Sequence, residues 1–364
     1  MGWNNPCLVW NPLERFEGGS VEYPSKIGQL LDAPVFTHHY HPSLRSSENP
    51  IFYQFRRDSI TAKLLLKSPL RELYLNIKYA FWKAPETYDC IITRGPKAVH
   101  TVQRLGQGHV HIFDGSYRGF FLHSDRIKAF NEKPEIVQFL LGNFRLNRRT
   151  AIQGSVHTAD KVVAASEWIA DLVESLYNRE VDKVIYPPMS LDSYSPSKED
   201  PPLGPFYLYL GNITKLHRTE EAIRAFNDLP YTLKVAGDGP ELDHCKDIAN
   251  DNIEFLGYVA GNEKYELLAS AKGLVVPTPH SFGRVIVESL ASGTPVVALD
   301  EQYAPYILSE GTTGILYERG DENLQNAIGK FETQSWDPSL AVKRSAEYSL
   351  GRVKKEWQEL IYNK

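Results

Sequence analysis

At 364 residues, 42% hydrophobic and 23% charged, the chain is too long for a single small module and too rich in apolar side chains to be disordered or fibrous. A formal net charge of −5 excludes a global nucleic-acid footprint, so any electrostatic partner must be read by a local patch. Three widely separated cysteines, Cys7, Cys90 and Cys245, lack CxxC or Cys/His spacing, which argues against a disulfide framework and fits a reducing cytoplasm.

In chain order, short apolar runs predict strands at 7–10, 33–37, 90–93, 110–113 and 161–164. The turn Gly18-Gly19-Ser20 precedes helical spacing over 21–31, and Ser166 is placed to cap a helix that runs through Leu176. Residues 187–205, PPMSLDSYSPSKEDPPLGP, resist both helix and central strand and mark a domain boundary. Alternation resumes with strands at 206–210, 232–236, 253–255, 273–276 and 295–299, separated by helices at 220–226, 263–269 and 284–291. The tail, 345–362, carries Leu350, Val353, Trp357, Leu360 and Ile361 on one side of a helix. The expected organisation is α/β in both halves: a first domain at 1–188, a linker at 189–205, a second domain at 206–344, and a terminal helix at 345–364 across a domain face. No apolar run reaches the ~18 residues of a membrane span, and the first residues lack a signal-peptide pattern, so neither is expected.

Ligands of such sheets bind at strand-to-helix turns. The most informative is PTPHSFGRVIVE, 277–288, which ends a strand, turns through Phe282-Gly283 and opens a helix whose backbone N–H groups can hold a phosphate. Glu288, about one and a half turns into that helix, can accept two hydrogen bonds from a ribose diol; read alone, it is also an ordinary solvated helix residue.

Four segments, FYLYLG at 206–211, VAGDGP at 235–240, IEFLGY at 253–258 and SFGRVIVESLASGTPVV at 281–297, resemble in order and spacing the C-terminal domain of glycosyltransferase family 4. Gly18-Gly19-Ser20 and VIYPP at 184–188 agree more loosely in the first half. The resemblance implies the GT-B fold, two Rossmann-like domains facing a cleft with a terminal helix crossing back to the first. It also implies a nucleoside-diphosphate sugar as donor substrate, no separate cofactor, transfer to an acceptor hydroxyl, and retention of anomeric configuration. The donor is then expected on Gly18, Gly19, Asn212, Lys215, Arg218, Val259, Ser281, Phe282, Gly283, Arg284 and Glu288, with Lys215 and Arg218 on the diphosphate. The family's second glutamate is Glu288, whereas its first is replaced by His280; its loop arginine is replaced by Asn212. Arg118 matches an acceptor-side arginine, and Asp114 stands where relatives carry a histidine. Asp114 and His280 are therefore the expected catalytic, sugar-facing pair, although Asp114 is equally suited to a plain turn before Gly115 and His280 to a loop cap.

No two aspartates lie two positions apart, so the Asp-x-Asp metal motif is absent and metal dependence is not expected. A dinucleotide oxidoreductase would need GxGxxG after a strand, and neither GDGPEL at 237–242 nor EGGS at 17–20 fits. An epimerase or hydrolase of the same fold, and a non-catalytic nucleotide-sugar binder, stay open as alternatives. Residues 55–83 hold seven basic and two acidic side chains, interleaved with Leu64, Leu65, Leu66, Leu73, Tyr74, Ile77, Phe81 and Trp82. That pattern suits amphipathic helices on an anionic membrane surface, and suits equally an ordinary core with a solvated basic face. The expectation is a cytoplasmic enzyme, peripheral on the inner face of the membrane, acting on a glycan or lipid-linked acceptor and binding no nucleic acid.

Overall fold

A computed structural model describes residues 2–10, 19–38, 52–54, 71–95, 98, 101, 106–114, 153–154, 156–196, 204–279 and 282–363. The chain divides into two compact units, Met1–Pro188 with Val353–Lys364, and Met189–Arg352.

Among the described residues unit 1 is built on a sheet of seven strands: β1 (Pro6–Trp10), β2 (Val35–Thr37), β3 (Phe52–Gln54), β4 (Cys90–Arg94), β5 (Gly108–Phe113), β6 (Lys161–Ala164) and β7 (Lys183–Val184). Their order is β3-β2-β1-β4-β5-β6-β7, and each pair is parallel. Parallel strands need crossovers that cover both faces, which is why β1 and β5 are buried along their whole length and read as continuous runs rather than alternating ones. Among the described residues the helices of unit 1 include α1 (Gly19–Leu31), α2 (Arg71–Phe81) and α3 (Glu167–Tyr177). Ser166 caps α3 as its position predicts, its hydroxyl accepting from Ile169 N–H at 3.3 Å.

Two buried histidines on β5 are core residues. The Thr93 hydroxyl lies 2.7 Å from Nε2 of His109 and 2.6 Å from Nδ1 of His111, giving each ring a partner inside the sheet. Burial pushes His109 down to about 4, against the opposing pull of Asp160, so its ring stays neutral at ordinary pH. Tyr79 of α2 is likewise fixed from inside, donating to the Trp10 carbonyl at 2.5 Å.

Unit 2 holds β8 (Phe206–Leu210), β9 (Thr232–Ala236), β10 (Ile253–Gly257), β11 (Gly273–Val276), β12 (Val296–Leu299) and β13 (Gly314–Tyr317). They form a parallel sheet in the order β10-β9-β8-β11-β12-β13. Its helices are α4 (Thr219–Asn227), α5 (Leu242–Asp247), α6 (Gly261–Ser270), α7 (Arg284–Ala291), α8 (Ala304–Ile307), α9 (Asp321–Glu332) and α10 (Pro338–Ser345). Tyr207 anchors the core between Phe226 and Phe331, with ring centroids 5.3 and 5.5 Å away.

The terminal helix, α11 (Leu350–Tyr362), starts later than the apolar spacing predicts. A short 3₁₀ turn at Ala346–Tyr348 and extended Ser349 intervene, because Tyr348 is drawn into the core against Phe282. From Val353 onward the helix belongs to unit 1. There Trp357 is fully buried, Trp3 N–H donates to the Ile361 carbonyl at 2.8 Å, and Lys161 donates to the Leu360 carbonyl at 2.8 Å.

Candidate functional site

In both units strand order reverses beside the first strand, between β1 and β4 and between β8 and β11. Such switch points leave a crevice at the carboxyl ends of the strands, where ligands of open parallel sheets bind. In unit 2 the loops leaving β8 and β11 meet there, and Thr278 donates to the His217 carbonyl at 2.6 Å.

After β11 the chain turns through Gly283, whose φ of 69° lies in the left-handed region that glycine tolerates. Gly283, which has no side chain to offer, is the N-cap of the eight-residue helix α7, and Ile286 N–H donates to its carbonyl at 2.9 Å. Phe282 is not free to meet a ligand through its ring; it is buried, stacked on Tyr303 at 5.5 Å, and fastens the turn. Glu288 lies in the second turn of α7 and is only 6% exposed. Lys264 of α6 reaches its Oε1 at 3.0 Å, Arg284 reaches the same oxygen at 3.7 Å, and the Tyr194 phenol lies near the carboxylate. Burial first, then Glu288 itself, pushes the Tyr194 phenol up.

The loop after β8 presents Asn212 and Lys215 as exposed side chains. Arg218, at φ 54°, opens α4, and its guanidinium is paired with the buried carboxylate of Glu221. The Tyr317 phenol donates to the other oxygen of Glu221 at 3.1 Å. A pocket of about 380 Å³ opens beside this loop, with the cations Lys215, Arg218 and Arg224 set against Glu220, Glu221, Glu241 and Asp321. Burial and the neighbouring Glu221 raise the Asp321 carboxyl above its ordinary value, as expected where carboxylates crowd. A pocket with this balance is a poor seat for a diphosphate. Between the two residues expected on the phosphates, Lys215 is exposed while Arg218 is committed to Glu221. Val259 is buried beside the exposed Tyr258, beyond the end of β10.

In unit 1, Asp114 follows β5 and forms an ion pair with Arg94 at the end of β4. The Arg94 guanidinium lies over the Trp10 ring at 5.0 Å and near Tyr23 at 5.6 Å. Gly19 opens α1, whereas Gly18, Arg118, His280, Ser281 and residues 55–70 lie outside the described residues. Three functional candidates escape sequence reasoning: Arg94, Tyr194 and Lys264. They carry no motif of their own and become visible only through what they touch.

Two parallel sheets, each with a switch point beside its first strand, agree with the GT-B fold. Over residues 204–332, within unit 2, the chain is matched by the model for Glycosyl transferases group 1. Among solved structures, sucrose-phosphate synthase from Thermosynechococcus elongatus superposes at a TM-score of 0.70, with 16% identity and 98% of each chain covered. Anabaena Alr3699/HepE in complex with UDP also gives 0.70, at 16% identity over 97% of this chain and 99% of that one. At these identities the likeness is one of fold. The alpha-monoglucosyldiacylglycerol synthase of Streptococcus pneumoniae is 29% identical over 244 residues, covering 60% of this chain and 52% of its own. The chain thus spans about half the length of the curated relatives it matches.

Proposed function

We propose that the chain is a glycosyltransferase that moves a sugar from a nucleoside-diphosphate sugar to an acceptor hydroxyl, with retention and without a metal ion. The observation that carries this reading is Glu288, a buried carboxylate one turn behind a glycine-led helix start at the switch point of a glycosyltransferase-like domain. The carboxylate suits the ribose diol, and the N–H groups of α7 with Lys215 suit the diphosphate. As the bond from the sugar to the diphosphate breaks, negative charge grows on the leaving oxygen, which is where these donors act. Asp114, held by Arg94, is assigned to the acceptor, to orient its hydroxyl and receive its proton as the new bond forms. HepE was solved with UDP, which favours a uridine nucleotide.

The test is a turnover screen of UDP- and GDP-sugars with the purified chain. One donor is expected to raise the melting temperature and be consumed, with equal rate in excess EDTA. Consumption of no donor overturns the reading, and loss in EDTA restored by Mg²⁺ or Mn²⁺ overturns its metal-free form.

A lipid-linked acceptor at an anionic membrane surface is the finer proposal. It is supported by the pneumococcal relative's name and by α2, where Ile77 and Phe81, one turn apart, are 49% and 82% exposed beside Lys78. Sedimentation with anionic vesicles is expected to be strong at low salt and to weaken as salt rises, each basic residue near the surface contributing about 1 kcal/mol. Equal partitioning to neutral and anionic vesicles, or to neither, counts against it. Among the described residues, no helix is long and apolar enough to cross a membrane.

A further inference from the structure

Three side chains from three different parts of unit 2 surround Glu288. Lys264 comes from the first turns of α6, Arg284 from the first position of α7, and Tyr194 from the segment that precedes β8. They also contact one another. Lys264 Nζ lies 5.4 Å from the Tyr194 ring, and the Tyr265 ring packs edge-on against Tyr194 at 4.7 Å.

We propose that Lys264 and Tyr194, with Arg284 as a weaker third, are positioning residues that hold the Glu288 carboxylate in the orientation that grips a nucleotide ribose; this rests on the nucleotide-sugar reading. A carboxylate this buried is costly unless its charge is matched, and here two cations match it, with the Tyr194 phenol beside them. A free glutamate has three side-chain torsions to lose when it binds a diol. One already tied at Oε1 loses little, so more of the hydrogen-bond energy appears as affinity. Distance ranks the contributors, Lys264 at 3.0 Å ahead of Arg284 at 3.7 Å. Tyr194 sets its phenol beside the carboxylate, its ring packed edge-on against Tyr265 and under the Lys264 ammonium. Arg284 sits one helical turn before Glu288 and projects from the same helix start assigned to the diphosphate, which suits it to a shared rather than dedicated role.

The test is calorimetric binding of UDP and GDP to the full chain, read as a double-mutant cycle. For whichever nucleotide the native chain binds more tightly, Lys264→Met is expected to weaken binding about five- to tenfold and Tyr194→Phe about threefold. In a Glu288→Gln background Lys264→Met adds less than about twofold, because its effect passes through the carboxylate. Lys264→Arg restores most of the loss. Equal losses in both backgrounds would show Lys264 contacting the nucleotide directly, and native affinity in Lys264→Met and Tyr194→Phe would show scaffolding alone; either overturns the proposal. Tyr194→Phe, which removes one oxygen, keeps the test decisive should Lys264→Met fold poorly. If Glu288→Gln itself binds as the native chain does, the ribose reading fails instead, and if neither nucleotide binds the native chain, both readings fall.

Discussion

A Glu288→Ala variant is expected to bind UDP at least tenfold more weakly than the native chain while retaining a cooperative unfolding transition. Hydrogen bonds to a charged group contribute about 1.5–3 kcal/mol each, and one alone accounts for a tenfold change. The loss from the ribose contacts is expected to be the same for uridine as for UDP, since the ribose is common to both and the phosphates are not. Comparing the two ligands separates those contacts from a second effect of opposite sign. Removing Glu288 releases Lys264 and Arg284, whose charges then attract a diphosphate more strongly. That release favours UDP and leaves uridine unaffected, so uridine gives the cleaner measure. Calorimetry on both ligands checks it, and unchanged uridine affinity sinks the ribose assignment. Stability is also expected to fall, because two cations lose their partner, which Glu288→Gln mitigates by keeping shape and one acceptor.

Much of unit 2 was legible because its chemistry lies in contiguous segments. Strand ends, glycine turns and helix starts follow one another at 206–211, 235–240 and 281–297, and the expected strands at 206–210, 232–236 and 273–276 coincide with β8, β9 and β11. The position of Glu288 behind Gly283 follows from counting residues along one helix. Its neighbours do not. Tyr194, Lys264 and Glu288 sit far apart in the chain, and no local period announces that a sheet and two crossovers bring them to one carboxylate. Arg218 shows the opposite case: its spacing from Glu221, three residues on, is that of a helical ion pair, and the pair takes the guanidinium that the loop's likeness assigned to phosphate.

Short elements were the other gap. β3 buries one of its three residues and β7 has only two, too few for any period to register. Along α2 the apolar residues alternate between roles, Leu75 and Tyr79 fully buried while Ile77 and Phe81 are exposed, so composition could not tell core from surface. The same limit applies to β5, where two histidines that look like polar interruptions are satisfied inside the sheet by one threonine.

Replacing Gly237 with alanine is expected to be among the most damaging single-methyl changes in unit 2. Three glycines close the ends of three adjacent strands here: Gly211 after β8, Gly237 after β9 and Gly257 at the end of β10. Gly237 N–H donates to the Gly257 carbonyl at 2.7 Å, and Gly211 N–H donates to the Ala236 carbonyl at 3.0 Å, so the backbone is pinned on both sides. Its φ of 151° lies in a region that side-chain-bearing residues rarely adopt, and a Cβ at this position would stand 1.8 Å from the Gly211 carbonyl oxygen. That oxygen is backbone and cannot swing aside as a side-chain tip would. Backbone strain of about 1–3 kcal/mol and overpacking of about 1–3 kcal/mol act together, a combined destabilisation of roughly 2–6 kcal/mol. The consequence reaches the site, because the segment that must retreat is the one that carries Asn212 and Lys215. Chemical denaturation is expected to show a lower midpoint with an unchanged slope, and nucleotide affinity is expected to fall alongside it. Gly329, on the exposed face of α9 with open space where a methyl group would go, is the matched control, and Gly329→Ala is expected to leave both quantities unchanged or raise stability slightly. A Gly237→Ala chain as stable as the Gly329→Ala control would show that the β8 loop yields freely, and the close packing of these three strand ends would then carry no weight in shaping the site.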